Sequence, residues 1–389
     1  MAFESTISRR DFMRTACAGA VGIALAACGS SGYAPSPKVA ANREAAARDP
    51  AARAESWDQL LEAGNKEGKV VVLGPPDSQV RTELPPLFKQ QTGIDMEFQG
   101  GNTSQLVAGV GSQRAAGQYL VDAVLGGSDT AYGTLLPQNW IDPLKPGLVL
   151  PEVIDHSHWK TGGPWFRDPQ GEMVLQLFNT VGHSISVNAD FVSPADVPSA
   201  DSLLDPKWKG KICAYDPSVN GSGIAVGSAL YVSKGKDWVT RLYKGQNVVL
   251  SRDYKQVADW VAHGSYPIAI GAFTNYFQPF IEAGIHIVWP KLPDVPETVS
   301  GGFGLLSVWN RPAHPHAALV FANWIASKEG LAAFAKTQRT APVRSDIQPS
   351  WIEPDLIPKP GVKYFDSYDY EFEMNQRLAI RDFYASLLK

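Results

Sequence analysis

The sequence predicts an α/β protein of two lobes, and three observations carry that reading. Short β-branched runs alternate with helix-patterned stretches, the arrangement of a mostly parallel, covered sheet. The alternation occurs twice, from about residue 69 and again from about residue 183, with no sequence repeat between the two sets. Third, a chain of 389 residues is longer than one hydrophobic core ordinarily serves.

Residues 1–27 read as an address rather than as working structure. Arg9 and Arg10, followed by Asp11, Phe12 and Met13, precede an apolar stretch over 16–27 that is too short to span a bilayer. A basic pair, a short apolar core and small residues at its end make an export signal, here of the twin-arginine type that carries folded chains. Leu25, Ala26, Ala27 and Cys28 resemble the lipobox of bacterial lipoproteins. That resemblance implies cleavage before Cys28 and a lipid on its sulfur; ordinary cleavage beside an incidental cysteine is the alternative. Residues 28–56 are rich in Ala, Ser and Pro with almost nothing large to bury, so they read as a flexible tether.

Composition excludes some classes. Arg9, Arg10, Arg14, Glu4 and Asp11 leave with the signal, taking 35 basic and 39 acidic residues to 32 and 37. A mildly acidic chain without a Lys/Arg block lacks the footprint that nucleic acid demands. With Cys28 lipidated, Cys213 has no disulfide partner, and its place in "KICAY" marks a small buried thiol.

The first set of elements runs "KVVVLG" at 69–74, a helix from "SQVRTELPPLFKQQTG", "IDMEFQ" at 94–99, the stretch "TSQLVAGVGSQRAAG" and "YLVDAVLG" at 119–126. The second follows "HSISVNAD" at 183–190 with "KICAYD", a helix opening near Ser222, "NVVLS" at 247–251, a helix through Val257 and Trp260, and "YPIAIGA" at 266–272. "GGFGLLSVWN" at 301–310 reads as a further strand. Two amphipathic helices follow in "HPHAALVFANWIASKEGLAAFAKTQ", with Ser327 capping the second. Beyond Pro342 a Pro- and aromatic-rich tail ends in one more helix and packs over a lobe.

Catalytic signatures are missing from the chain: there is no nucleophile elbow, phosphate loop, zinc helix or paired-cysteine motif. His156 with His158, and His314 with His316, have no carboxylate or cysteine cluster nearby in sequence, so neither pair reads as a metal site. The run "DSYDYEFE" at 366–373 lacks the glycine of an EF-hand loop and reads as a solvated acidic face. No catalytic residue and no cofactor are expected.

Four polar, Gly-rich loops each follow a strand: "GPPDSQVR", "GGNTSQ", "GGSDTAY" and "DPSVNGSG". Each alone is ordinary turn chemistry. Together they sit where open α/β sheets bind ligands, outside the carboxyl ends of strands, and they bring Asp77, Ser78, Thr103, Ser104, Ser128, Asp129, Ser218, Asn220 and Ser222 to one cleft.

At "DPKWKGKICAYDPSVNGSG", "HGSYPIAIGAFTNYF" and "HAALVFANWIASKEG", with "EAGNKEGKVVVLGP" and "WIDPLKP" in order before them, the chain resembles the extracellular solute-binding proteins of ABC importers, in the subgroup that includes ferric-ion binders. The resemblance implies a periplasmic-binding-protein-like clamp. Lobe 1 would take 57–184 with 299–345 and lobe 2 185–298 with 346–389, joined by crossing strands near 181–186 and 297–303. A monomer of this kind captures a small solute and delivers it to a membrane permease driven by an ATPase. Ferric binders carry two adjacent tyrosines after an asparagine, whereas this chain has Asn275, Tyr276 and Phe277. Asp77 falls where they offer a histidine, and Ser128 beside Asp129 where they offer a glutamate. Tyr276, Asp77 and Asp129 form a possible oxygen-rich iron set, as the alternative to an organic solute.

The resemblance also places the start of the helix after "SVNGSG" at the cleft, where free N–H groups and the hydroxyls of Ser218 and Ser222 suit an anion. Ser251 and Arg252 would add a charge-assisted bond unless Arg252 forms an ion pair. Phe273, Thr274, Asn275, Tyr276 and Phe277 supply a wall, with one or two of the aromatics facing the cleft. A small anionic solute, or a zwitterion with its amine near Asp77 or Asp129, fits these groups. An exported enzyme, or a ligand-sensing partner of a membrane receptor, is the reading from another class.

Overall fold

The structure, a computed structural model, describes residues 56–389. The signal, Cys28 and all of the tether but residue 56 lie outside the described residues, as does the side chain of Ser104. The Ser56 hydroxyl accepts from Gln59 N–H and starts helix α1 (Trp57–Glu67), which ends where Gly68 turns left-handed at φ 72°.

The first sheet is built on β1 (Lys69–Gly74), whose apolar run is buried from Val70 onward. Helix α2 (Ser78–Thr92) crosses to β2 (Asp95–Gly100), and α3 (Thr103–Ala115) leads to β3 (Ala123–Gly126). Both strands lie parallel to β1, with Val72 opposite Phe98 on one side and Ala123 on the other. The sheet is completed by β4 (Leu175–Gln176) and by β12 (Leu305–Val308), which runs antiparallel to β3 and β4, in the order β2-β1-β3-β12-β4.

The second sheet has the order β10-β6-β9-β7-β8, from β6 (Ile185–Asn188), β7 (Ile212–Tyr215), β8 (Val249–Ser251), β9 (Ile268–Ile270) and β10 (Ile287–Val288). Helices α4 (Ser222–Thr240) and α5 (Tyr254–Ala262) connect its parallel members. Both sheets are more mixed than the alternation of elements predicts. The strands that enter from the connection between the sheets, β12 in one and β6 in the other, pair antiparallel with the βαβ strands.

Between the sheets lies a short ribbon of β5 (Thr180–Gly182), β11 (Thr298–Ser300) and β13 (Phe365–Asp366). Thr298 pairs with Gly182 antiparallel and with Phe365 parallel, so the hinge is crossed by β5 and β11 and flanked by a strand of the tail. His183, just beyond β5, bonds to Glu297 at 2.9 Å and stacks on Trp289.

Each sheet has its own core. Val70, Val72, Phe88, Phe321 and Phe334 fill the first, and Ile185, Val187, Ile212, Trp208 and Tyr384 the second. Helix α6 (Pro315–Ala326) departs from the amphipathic pattern: every residue from Ala317 to Ala326 is buried. It is enclosed by α1, by β1 and β12, and by α7 (Lys328–Thr337), so no face reaches water. Ser327 caps α7, accepting from Gly330 N–H.

The acidic run at 366–373 is a solvated face only in part: Asp369 and Glu371 are exposed, whereas its two ends are tied down. Asp366 pairs with Arg167 at 2.8 Å, Ser367 is buried, and Glu373 pairs with Arg377 at 2.6 Å. The cationic partners come from elsewhere in the fold or one helical turn on, which an acidic composition alone does not reveal. His314 and His316 likewise gain carboxylates from far away in sequence, Asp122 at 2.8 Å and Glu67 at 2.7 Å. Cys213 is fully buried, and that burial pushes its thiol up to about 12.

Candidate functional site

Strands β1, β2 and β3 end at Gly74, Gly100 and Gly126, and β7 ends at Tyr215; the four polar loops begin there. In the first lobe Asp77 caps α2, accepting Gln79 N–H at 2.7 Å. Ser78 beside it is exposed, and Thr103 is buried against the Thr130 hydroxyl at 3.4 Å.

The loop after β3 is held by the tail. Arg377, only 5% exposed, donates to the Ser128 hydroxyl at 3.1 Å and lies 3.4 Å from Asp129. Asp129 is therefore not an uncommitted carboxylate. Burial, above all, raises the Glu373 carboxyl beside Arg377 to about 7.

In the second lobe the wall is aromatic. The rings of Tyr215 and Tyr254 stack with centroids 3.9 Å apart and planes 11° from parallel, and Tyr276 continues the stack at 5.4 Å and 18°. Phe273 flanks Tyr254 at 5.6 Å. Phe277, the residue in place of a second adjacent tyrosine, is fully buried in the core behind α5. Burial raises the Tyr276 pKa, and Tyr254, Asp77 and Asp253 push it further the same way. Asp77 thus acts electrostatically on an aromatic ring of the opposite lobe, and Asp253 joins it.

The start of α4 meets this wall. Gly221 holds φ 138°, and a Cβ there would lie 2.4 Å from the Tyr254 hydroxyl. Ser222 N–H donates to that hydroxyl at 3.2 Å, and the Ser222 side chain donates to Gly271 O. Ser218 Oγ donates to Asp216 at 2.6 Å. Both serine hydroxyls of the expected anion cradle are thus committed within the protein.

Arg252 forms the ion pair rather than standing alone: its Nε donates to Asp216 at 2.8 Å, while its side chain remains 68% exposed. Burial pushes the Asp216 carboxyl up, but Ser218 and Arg252 outweigh it and leave the pKa lowered. Ser251 donates to Gln256 Oε1 at 2.6 Å, inside the turn that starts α5. Asn220 accepts from Arg381 of the tail at 3.0 Å. Asn275 donates to Gln338 O at 2.8 Å across the lobes, and with Thr274 it lines a cavity of about 510 Å³ that Arg339 and Trp289 also border.

Sequence reasoning missed Tyr215, Asp253, Tyr254 and Arg377. The first three flank residues it did single out, so the aromatic and acidic neighbours of those loops were an available signal; Arg377 had none. Among the described residues no group of three or more His, Cys, Asp or Glu lies close enough to hold a metal ion. Nor is any described helix long and apolar enough to cross a membrane.

Two α/β lobes, crossed by paired hinge strands and facing one another at strand ends, define a solute-binding clamp. Residues 87–359, more than half the chain, match the bacterial extracellular solute-binding protein family. The chain belongs to that family, the capture components of ABC importers. Its fold is shared with iron-bound HitA of Pseudomonas aeruginosa, at 16% identity and TM-score 0.59 over 82% of this chain and 99% of that one. AfuA of Actinobacillus pleuropneumoniae with fructose-6-phosphate bound gives 17% and 0.63 over 82% and 98%. An ABC-transporter substrate-binding protein from Agrobacterium tumefaciens gives 14% and 0.64 over 82% and 94%. No curated protein matches the sequence.

Proposed function

We propose that this protein captures a small zwitterionic organic solute between its lobes and delivers it to an ABC permease. The observation that carries this reading is the tyrosine wall of Tyr215, Tyr254 and Tyr276, influenced by two carboxylates, Asp77 and Asp253. An ammonium group suits an aromatic face with carboxylates beside it. The acidic end of the solute would turn toward the exposed guanidinium of Arg252.

Ferric ion fits these residues less well. Of the oxygen set Asp77, Asp129 and Tyr276, Asp129 is tied to Arg377 and the raised pKa of Tyr276 disfavours the phenolate. The neighbour solved with iron and the neighbour solved with a sugar phosphate leave both cargo classes open for the fold itself.

The reading includes an export signal of the twin-arginine type over 1–27, a lipid on Cys28, a tether over 28–56 and a monomer outside the membrane. It divides the clamp into 57–184 with 299–345, and 185–298 with 346–389. It assigns no catalysis.

Melting of the full chain against 2-aminoethylphosphonate, spermidine, phosphate, succinate and ferric citrate tests the cargo. A ligand at about 100 times its dissociation constant adds roughly 2.7 kcal/mol, a shift of two degrees or more for a chain of this size. The zwitterion should move the melt furthest. A shift with ferric citrate alone would retire the organic solute.

A further inference from the structure

One unbroken run of helix belongs to both lobes. Tyr370–Phe372, the π-helical turn Glu373–Arg377 and helix α8 (Leu378–Leu387) follow one another directly. Phe372, Ile380 and Tyr384 pack into the second core, where the Tyr384 hydroxyl donates to Gly227 O at 2.9 Å. Tyr370 turns the other way and meets Tyr132 of the first lobe edge-on, with centroids 5.2 Å apart. Arg377 also turns toward the first lobe, to Ser128 and Asp129.

A helix over 370–387 is about 27 Å long at 1.5 Å per residue, stiff enough to act as a tie. When lobes rotate about a hinge, a stiff element anchored in both must let go of one. The second-lobe anchor is apolar and fully buried at Tyr384; parting it would expose aromatic surface. The first-lobe hold is the edge contact of Tyr370 plus the polar contacts of Arg377 to Ser128 and Asp129 at 3.1 and 3.4 Å, and water can replace the polar contacts whereas it cannot replace the buried packing of Tyr384. The wider π turn at Glu373–Arg377 places local slack at the grip.

We propose that Arg377 is a positioning residue that ties the loop after β3 to the second lobe, so that the clamp opens by releasing Ser128 and Asp129 from Arg377. On release Arg377 keeps Glu373 at 2.6 Å and Ser367 O at 3.2 Å, both in its own tail segment. Those contacts stay with Arg377, and Asp129 is the group uncovered in the cleft.

Small-angle X-ray scattering of the full chain without solute, beside D129N, S128A, R377K and R377Q, tests this independently of the cargo. D129N and R377Q should shift the radius of gyration upward, S128A by less, and R377K should fall nearest the parent, with circular dichroism still that of the folded chain. R377Q strips a buried cation from two carboxylates, so D129N, which leaves Arg377 paired with Glu373, decides the matter if R377Q does not fold. Folded D129N whose scattering curve superimposes on the parent's, when the parent's curve matches the structure with the Arg377 contacts formed, would overturn the proposal, as would a parent open with those contacts intact.

Discussion

The second-lobe wall of the cleft organises itself, with Tyr215, Tyr254, Tyr276 and Ser222 held by partners within that lobe, whereas the first-lobe wall at Ser128 and Asp129 is held by a residue 249 positions away in sequence. A wall assembled from nearby loops is in place whatever the hinge does. A wall secured by the tail depends on where the tail sits. One side of the clamp is therefore suited to recognising solute and the other to registering lobe position.

The largest effect should come from breaking the self-organised side. A Cβ on Gly223 would lie 2.3 Å from Tyr215 O, and backbone on both sides leaves little room to yield. G223A should lose about 3 kcal/mol of stability by urea midpoint, and any solute-induced melting shift should vanish with the displaced start of α4. An unshifted midpoint would show that the wall is softer than its packing indicates.

Next, F277Y sharpens the contrast with ferric binders. Phe277 is fully buried, so the new hydroxyl gains no partner and should cost about 1–3 kcal/mol. No tyrosinate charge-transfer band should appear with ferric citrate, because the ring faces the core. A smaller change is expected from D77N: about tenfold weaker binding of an ammonium-bearing solute by calorimetry, equivalent to about 1.4 kcal/mol, with the melt of the free protein nearly unchanged.

A further effect concerns pH on the tail-held side. The Glu373 pKa is raised, chiefly by burial, from 4.5 to about 7. Protonation therefore favours the folded form, with a contribution complete below about 4.5 and lost as pH climbs through 7. Urea midpoints of the parent should fall across that window, and E373Q should fall less. Equal slopes would mean that Arg377 keeps Glu373 ionised throughout.

Much of the fold could be read from local pattern, because β-branched runs such as "KVVVLG" and turn residues such as Gly74 and Gly126 act over a few positions. The strand-end loops could be read for the same reason. Pairings that join distant segments could not. Arg167 with Asp366 and Arg377 with Asp129 tie the tail to the first lobe, and nothing within either segment announces its partner. The burial of α6 on every side was hidden likewise, since it depends on α1, β1 and α7 closing around it. Tyr215 and Tyr254 were a lesser miss: they sit at a strand end and a helix start already marked, and only their stacking needed the fold.

The three-stranded ribbon between the lobes also bears on how the chain is made. Its strands come from 180–182, 298–300 and 365–366, so the ribbon cannot close before residues 365–366 have left the ribosome. Contacts of such sequence separation form late and slowly. The first lobe can gather much of its core beforehand, while the second still awaits Phe372, Ile380 and Tyr384. A clamp joined in this way stays unfastened at its hinge until the third strand arrives, whichever lobe forms first.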